Sequence, residues 1–468
     1  MPSLSRQLAR FVSKLRYEDL PPAVVDRAKG VTLHCLSSVL IGSQTGGGKS
    51  AVKLMTDEEL GVKNGATILV NGAKVTKAGA AFANSEMAFA GGKWDTFRML
   101  THPGTSIVPT ALVAAESAGA SGKDFITGLV CGYEVCERMG ADFIASFMAR
   151  GFHPGPVTGI FGAAVAAAKI MGLNEDQINS AIALCASLAG GNPEAPRHGG
   201  KVLREGAAVR NAMLAVALAK NGHDGGESVL EGPAGFYHAF TGNNHGQLTY
   251  SFAGATHASL ENITKDLGKE WMFLETLYRI YSISGYNIAH IDVTAALCKE
   301  HDIKPENVEK IEAVVNWLET QYPSPAFPIR REDINPKPGG TAYYSAYAVV
   351  HRGLPILQSW GMSGPPNVEA EPAVTDMMKR VSIIPSHNMG LFAPRISITT
   401  KDGKTYTKQS TGREFIWDFE EQARRIRPVA PGLPISADRF EQIISTCRDL
   451  DRAARADALV GLTLAEAK

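Results

Sequence analysis

Residues 159–171 (GIFGAAVAAAKIM) consist almost wholly of small and aliphatic side chains, and residues 78–90 and 110–119 are similarly rich in Ala. Small residues let helix axes approach closely, so these segments predict a tightly packed helical core. Around them, from Leu4 to about Asp266, the chain reads as helices separated by loops rich in Gly and Pro. Residues 21–41 carry apolar side chains at helical spacing, with Pro near the start and Gly42 just past the end. The short apolar stretch 66–70 precedes Asn71-Gly72, which predicts a small hairpin attached to the helices.

The pattern changes after about Gly268. Residues 308–317 (VEKIEAVVNW) and 381–384 alternate like strands, and 395–408 form two alternating runs joined at Asp402-Gly403, a strong hairpin signal. Helical segments lie between, at about 288–301 and 342–352, and residues 419–462 are helical again. The expected fold is therefore mainly α: a large helical domain of residues 1–266 plus 411–468, with a smaller α+β domain, 267–410, inserted. A chain of 468 residues has room for two or three domains.

Lys plus Arg and Asp plus Glu each total 47, so there is no net field to hold a polyanion, and nucleic acid is not the expected partner. Residues 1–17 lack the apolar core of an export signal, and no uncharged apolar run reaches the roughly 20 residues that span a bilayer. The six cysteines are scattered with no Cys-x-x-Cys pair, which suits free thiols in a reducing compartment. The expectation is a cytoplasmic protein with no membrane contact.

Two motifs point away from other chemistries. Residues 42–50 (GSQTGGGKS) end like a phosphate-binding loop, but the pattern needs Gly where Ser43 stands and a strand before it, whereas 31–41 reads as a helix. A glycine-rich helix connection fits better. His102, His153, His198, His223 and His290 are far apart without ligand spacing, and Cys131 and Cys136 have no third cysteine close by, so no metal is expected.

Residues 94–110 (WDTFRMLTHPGTSIVPT) gather Asp95, Thr96, Arg98, Thr101 and His102 between two apolar helices. Connections of this kind seldom collect so many polar groups without use for them, although a capped helix end with a solvated histidine would give the same residues. His153-Pro154-Gly155 precedes the Ala-rich helix in the same way, placing a histidine at a helix mouth where backbone N–H groups favour an anion. A third Gly-bearing helix entrance, residues 197–201 (RHGGK) followed by Arg204 and Arg210, supplies cations.

These segments resemble the MmgE/PrpD family, which includes 2-methylcitrate dehydratase, cis-aconitate decarboxylase and iminodisuccinate epimerase. The matching stretches are Asp95-Thr96 with Thr101-His102-Pro103, His153 with PGPVTGIFGAAVAAAKIMGL, Gly200-Lys201 with Gly206-Ala207-Ala208 and Asn211, and the Tyr343-Tyr344-Ser345-Ala346-Tyr347-Ala348 helix. The resemblance implies a cofactor-free, metal-free enzyme, usually a homodimer, acting on a small carboxylate. It implies active-site roles for His102 and His153, polar pocket roles for Thr96 and Lys201, an acidic role for Asp95, and a small-domain tyrosine at Tyr322.

Two departures stand out. The family's acidic segment, of the form Leu-Asp-Phe-Asp-Asp-Thr, reads Gly91-Gly92-Lys93-Trp94-Asp95-Thr96 here, so an acid is lost at Gly92 and Lys93 has appeared. A family lysine before the helix containing His290 falls, in this register, at Tyr281. The shared chemistry is proton transfer next to a carboxylate, for which histidine is suited because its ordinary pKa lies near neutrality. One of His102 and His153 is expected to remove a proton and the other to donate one, with Lys201 and Arg204 holding a carboxylate. The leading reading is a lyase, dehydratase or decarboxylase, on a di- or tricarboxylate. The alternatives are an epimerase of a dicarboxylate such as an iminodisuccinate-like acid, and a non-catalytic helical scaffold.

Overall fold

The computed structural model describes residues 2–192, 204–243, 259–321, 340–354 and 371–465. Eleven described helices precede residue 259: Leu4–Lys14 (α1), Pro22–Gly42 (α2), Gly46–Glu59 (α3), Lys77–Ala90 (α4), Pro103–Ala118 (α5), Gly122–Gly140 (α6), Ile144–Ala149 (α7), Pro154–Ile170 (α8), Glu175–Leu188 (α9), Arg204–Lys220 (α10) and Phe236–Thr241 (α11). The molecule is mainly helical, as its small-residue segments predict. α8 carries those residues most densely and is buried on nearly every face, packing against α5, α6, α9 and α10.

The closeness of that packing explains the composition. A side-chain carbon added at Gly132 of α6 would stand 2.6 Å from the carbonyl oxygen of Gly162 on α8, and one added at Gly162 would stand 2.7 Å from that of Gly132. Each helix thus rests its backbone on the other, and neither position has room for a methyl group. The α5–α8 contact is similarly tight: a carbon at Gly159 would lie 3.1 Å from Ser106 Oγ, and one at Gly155 would lie 3.0 Å from the Leu100 carbonyl. Positions rise together along both helices, so α5 and α8 run side by side with their N-termini at the same end.

The 42–50 segment is a helix corner. Thr45 caps α3 by accepting from the Gly48 N–H at 3.1 Å, and a helix precedes it, not a strand. The expected hairpin near 66–75 is present, with Ala66–Thr67 (β1) paired antiparallel to Lys74–Val75 (β2), but its strands are only two residues long. Asn71-Gly72 lies in the turn, and Leu69 N–H is taken by Asn84 of α4 in place of a longer ladder.

A second two-residue ladder forms without any local strand signal. Asp95–Thr96 (β3) pairs antiparallel with Leu277–Tyr278 (β4), Asp95 opposite Tyr278 and Thr96 opposite Leu277. Beyond it come Ile288–Glu300 (α12), Val308–Asn316 (β5), Thr341–His351 (α13), Pro372–Met378 (α14), Val381–Ser386 (β6), Arg395–Thr400 (β7) and Thr405–Gln409 (β8). The larger sheet runs in the order β6-β5-β7-β8, with β5 and β6 parallel and the other pairs antiparallel. Ile311, Ala313, Val315, Ile396 and Ile398 alternate into its buried face, and α12 and α13 pack on each other and on the sheet. Asp402 and Gly403 make the β7–β8 turn, with Gly403 at φ 83°. The C-terminal helices Phe419–Ile426 (α15) and Ala437–Arg448 (α16) return to lie against α2, and Ala458–Thr463 (α17) packs on α16. No described helix is long and apolar enough to cross a membrane.

Because the α6–α8 contact is made between backbones, Gly162→Ala is expected to cost about 1–3 kcal/mol by overpacking. Urea denaturation reads it as a lower midpoint; an unchanged midpoint would mean that the helices separate freely.

Candidate active site

The chain between β3 and α5 delivers His102. Phe97 and Thr101 close a bridge across residues 98–100, within which Arg98 and Leu100 take left-handed backbone angles, φ 49° and 58°. Such angles are costly for residues with side chains and persist only where the surroundings hold them. Here the bridge and an ion pair from Arg98 to Glu275, 2.8 Å, do so. His102 is the residue before α5, and its buried ring lies 4.4 Å from that of Trp94, which stacks in turn on Phe89. Its Nδ1 lies 3.2 Å from both the Asp95 carbonyl and Thr96 Oγ1. A carbonyl only accepts, so Nδ1 carries the proton and the lone pair of the neutral ring belongs to Nε2.

His153 has the complementary arrangement. It precedes α8, is buried, and its Nδ1 accepts from the Gly155 N–H at 3.2 Å. The proton of the neutral ring is therefore on Nε2. The His153 N–H is itself bonded to the Gly191 carbonyl, 3.0 Å. Since α5 and α8 start at the same end, the two histidines cap neighbouring helix N-termini. α10 begins there too: a side-chain carbon at Gly155 would meet Glu205 Oε1 at 3.1 Å, and Gly206 N–H donates to Glu86 of α4 at 2.8 Å. The starts of α5, α8 and α10 thus lie together, residues 197–201 being outside the described residues, and helix N-termini favour negative charge.

Asp95 holds this end in place. Its carboxylate accepts from the Gly104 N–H in the first turn of α5, at 2.9 and 3.1 Å, and from the Tyr133 hydroxyl of α6. Its carboxyl therefore braces α5, while its main-chain carbonyl orients His102. Gly104 is required there, because an added carbon would lie 2.7 Å from both Asp95 Oδ2 and the Tyr133 oxygen. Burial pushes the Asp95 carboxyl up to about 6 against the lowering effect of those bonds.

Thr96 Oγ1 lies against the His102 ring. Tyr281 is buried and gives its hydroxyl to Asp292 of α12, 3.0 Å, and no hydrogen bond ties it to either histidine. Lys201 and Tyr322 lie outside the described residues, as does the side chain of Arg204, whose backbone opens α10. Among the described residues no group of three or more His, Cys, Asp or Glu is arranged to hold a metal ion.

The residues that fasten β3 to β4 belong to no local motif. His34, in the middle of α2, places Nε2 2.8 Å from the Trp94 carbonyl and 3.1 Å from that of Arg279. Its Nδ1 lies 3.0 Å from Gln422 Nε2 of α15. Two carbonyls at Nε2 and an amide N–H at Nδ1 fix the tautomer, with Nε2 protonated. The Arg279 N–H returns to the Trp94 carbonyl at 2.8 Å, and its guanidinium lies 4.5 Å from the Trp94 ring centre. Lys93 is buried beside it, its ammonium on Ser282 Oγ at 3.0 Å.

A family model for the MmgE/PrpD N-terminal domain matches residues 6–249, which hold both histidine entrances. The chain belongs to the MmgE/PrpD family. A cis-aconitate decarboxylase-like protein of Aspergillus oryzae is 29% identical over 60% of this MmgE/PrpD chain, the match spanning 59% of that relative's length. A cis-aconitate decarboxylase of Aspergillus terreus is 25% identical over 86% of the chain and 84% of its own length. That of Homo sapiens is 24% identical over 96% and 92%.

Burial lowers the His34 pKa to about 4, so the ring is neutral in the folded protein. An unfolded histidine takes its proton near 6.5, so the neutral clamp stabilises this MmgE/PrpD fold fully above that pH and progressively less as pH falls towards 4. The stability difference between the native chain and His34→Leu is expected to shrink over that window by up to about 3 kcal/mol. Asp95, whose raised pKa acts in the opposite sense, is common to both proteins and cancels. Denaturant midpoints measured from pH 7 to pH 4 check this; a constant difference would show that His34 titrates normally.

Proposed function

We propose that this MmgE/PrpD protein is a lyase that decarboxylates a tricarboxylate of the cis-aconitate type, with His102 and His153 moving the proton. The observation that carries the reading is the pair of histidines at adjoining helix N-termini with opposite tautomers, His102 protonated at Nδ1 and His153 at Nε2. The decarboxylase names of the relatives favour a lyase over an epimerase, and matches at 24% and 25% identity over most of both chains support it.

In such a reaction the bond to the departing carboxylate breaks, and its electron pair shifts through the neighbouring double bond. The carbon at the far end then takes a proton. His153, with Nε2 protonated, is the donor in this scheme. His102 is the base that receives a proton in any reverse or exchange step, with Thr96 and the Asp95 carbonyl holding its ring. The aligned N–H ends of α5, α8 and α10 favour the carboxylates and the negative charge that develops between them. The family resemblance supports Lys201, Arg204 and Tyr322 as further contacts to the substrate. It also supports a homodimer working without a cofactor, with the sheet-bearing region 267–410 as a cover over the helical domain, and the scattered cysteines suit a reducing, cytoplasmic compartment.

The test is incubation of the purified chain with cis-aconitate in deuterated water, followed by NMR. Loss of CO2 with one deuterium in the product is expected; His153→Ala should lower the rate at least about 10²-fold, and His102→Ala should slow the reverse exchange by a similar factor. Exchange without loss of CO2 from any tricarboxylate, or from a dicarboxylate instead, would move the assignment to an epimerase. Unchanged turnover in both variants would remove the histidines from the mechanism.

A further inference from the structure

Helix α10 is apolar on two faces. Between Arg210 and Lys220 it reads NAMLAVALA, in which Asn211 is the one polar residue. Ala212, Met213, Ala215, Val216 and Ala219 are buried, where the helix packs on α4, α8 and α9. The opposite face of a surface helix is ordinarily charged or polar. Here it carries Leu214, 47% exposed, and Ala217, also exposed.

That stretch of α10 lines a groove of about 480 Å³, a volume in the range of small-ligand pockets. Met213, Leu214, Val216 and Ala217 supply its apolar surface, with Met171 from the end of α8 and Ala78 from the start of α4. Methionine side chains adapt to the shape of what they meet. Lys77, Arg210 and Lys220 also line the groove, and no carboxylate does. Arg210 is already paired with Glu59 at 2.6 Å, whereas Lys77 and Lys220 form no ion pair with any described residue. Asn211 is committed to the Leu188 carbonyl, 3.3 Å.

This combination selects among occupants. Ten residues of helix separate Arg210 from Lys220, about 15 Å, so the apolar body of a matching ligand is elongated. The free ammonium groups call for a negative charge on that body. Met213 and Val216 are 5% and 1% exposed, so the apolar floor is recessed, open to a single chain but not to the flat face of a bilayer. A second copy packed here about a two-fold axis would set the cationic patch against its own image. A carboxylate with one long hydrocarbon chain meets all of these conditions.

We propose that the groove along the outer face of α10 binds a free fatty acid, its chain laid on Met171, Met213 and Val216 and its carboxylate held by Lys77 or Lys220. The site is separate from the histidine entrances and differs from them in chemistry, since a small tricarboxylate has no chain to bury. The proposal stands independently of the reaction assigned above.

The experiment is calorimetric titration of the full chain with laurate below its micelle-forming concentration, with dodecyltrimethylammonium as the probe of opposite charge. Laurate is expected to bind and the cation is not. Leu214→Asp, which sets a carboxylate on the groove at an exposed position, should weaken laurate binding at least about tenfold. Its thermal midpoint should stay within about 2 °C of the native value, as is usual for a surface substitution. Lys77→Gln and Lys220→Gln combined should weaken binding about fivefold. Native affinity in either altered protein, or equal binding of the two probes, would overturn the proposal. So would a native chain that binds no laurate, as when a second copy covers the face, or one that binds phosphatidylglycerol vesicles instead. Turnover plays no part in these readings, so failure to release CO2 from cis-aconitate would refute the reaction assigned above and leave the groove standing.

Discussion

Backbone resting on backbone governs this molecule. Where α6 crosses α8 at Gly132 and Gly162, and where α5 runs beside α8 past Gly155 and Gly159, the helices lie too close for ordinary side chains. Contacts of this kind fix axial position as well as distance, because each small residue accepts only the atoms that already face it. α5 and α8 therefore start level with each other, with α10 beside them. The alignment that puts His102 next to the His153 entrance is a product of packing in the core.

The second constraint is electrostatic and local. Residues 93–96 are an extended strip on the helical body, held by a two-residue ladder that has little stability of its own. His34 compensates by binding the carbonyls of Trp94 and Arg279 from beneath, with Gln422 fixing its other nitrogen. Asp95 braces the start of α5 from the same strip. A neutral imidazole and a carboxylate thus replace the longer ladder that a sheet would have provided.

Much of this was legible in the residues. Ala and Gly density announced the helical core, Asp402-Gly403 announced the β7–β8 hairpin, and His-Pro-Gly marked two helix starts that the fold sets side by side. The GGGKS segment read correctly as a helix connection because Ser43 breaks the phosphate-loop pattern and a helix precedes it. What stayed hidden depends on contacts far apart in sequence. β3 and β4 are too short to show alternation, and nothing local distinguishes His34 or Gln422 from other polar residues on amphipathic helices. Tyr133 has the pattern of an ordinary core aromatic, and only the long-range bond to Asp95 gives its hydroxyl a role. Arg279 carries no motif of its own and stands two residues before Tyr281, whose hydroxyl is committed to α12.

The His34 clamp also has a consequence in time. Its three partners sit at positions 94, 279 and 422 of a 468-residue chain. As the polypeptide leaves the ribosome, the close-packed helices have all they need to assemble long before Tyr278 or Gln422 has been made. The strip bearing His102 must wait for both, since loops of that length close late in folding. The nascent protein thus gains its core early and its candidate site last, so that stability and the site's geometry arise at separate moments in its synthesis.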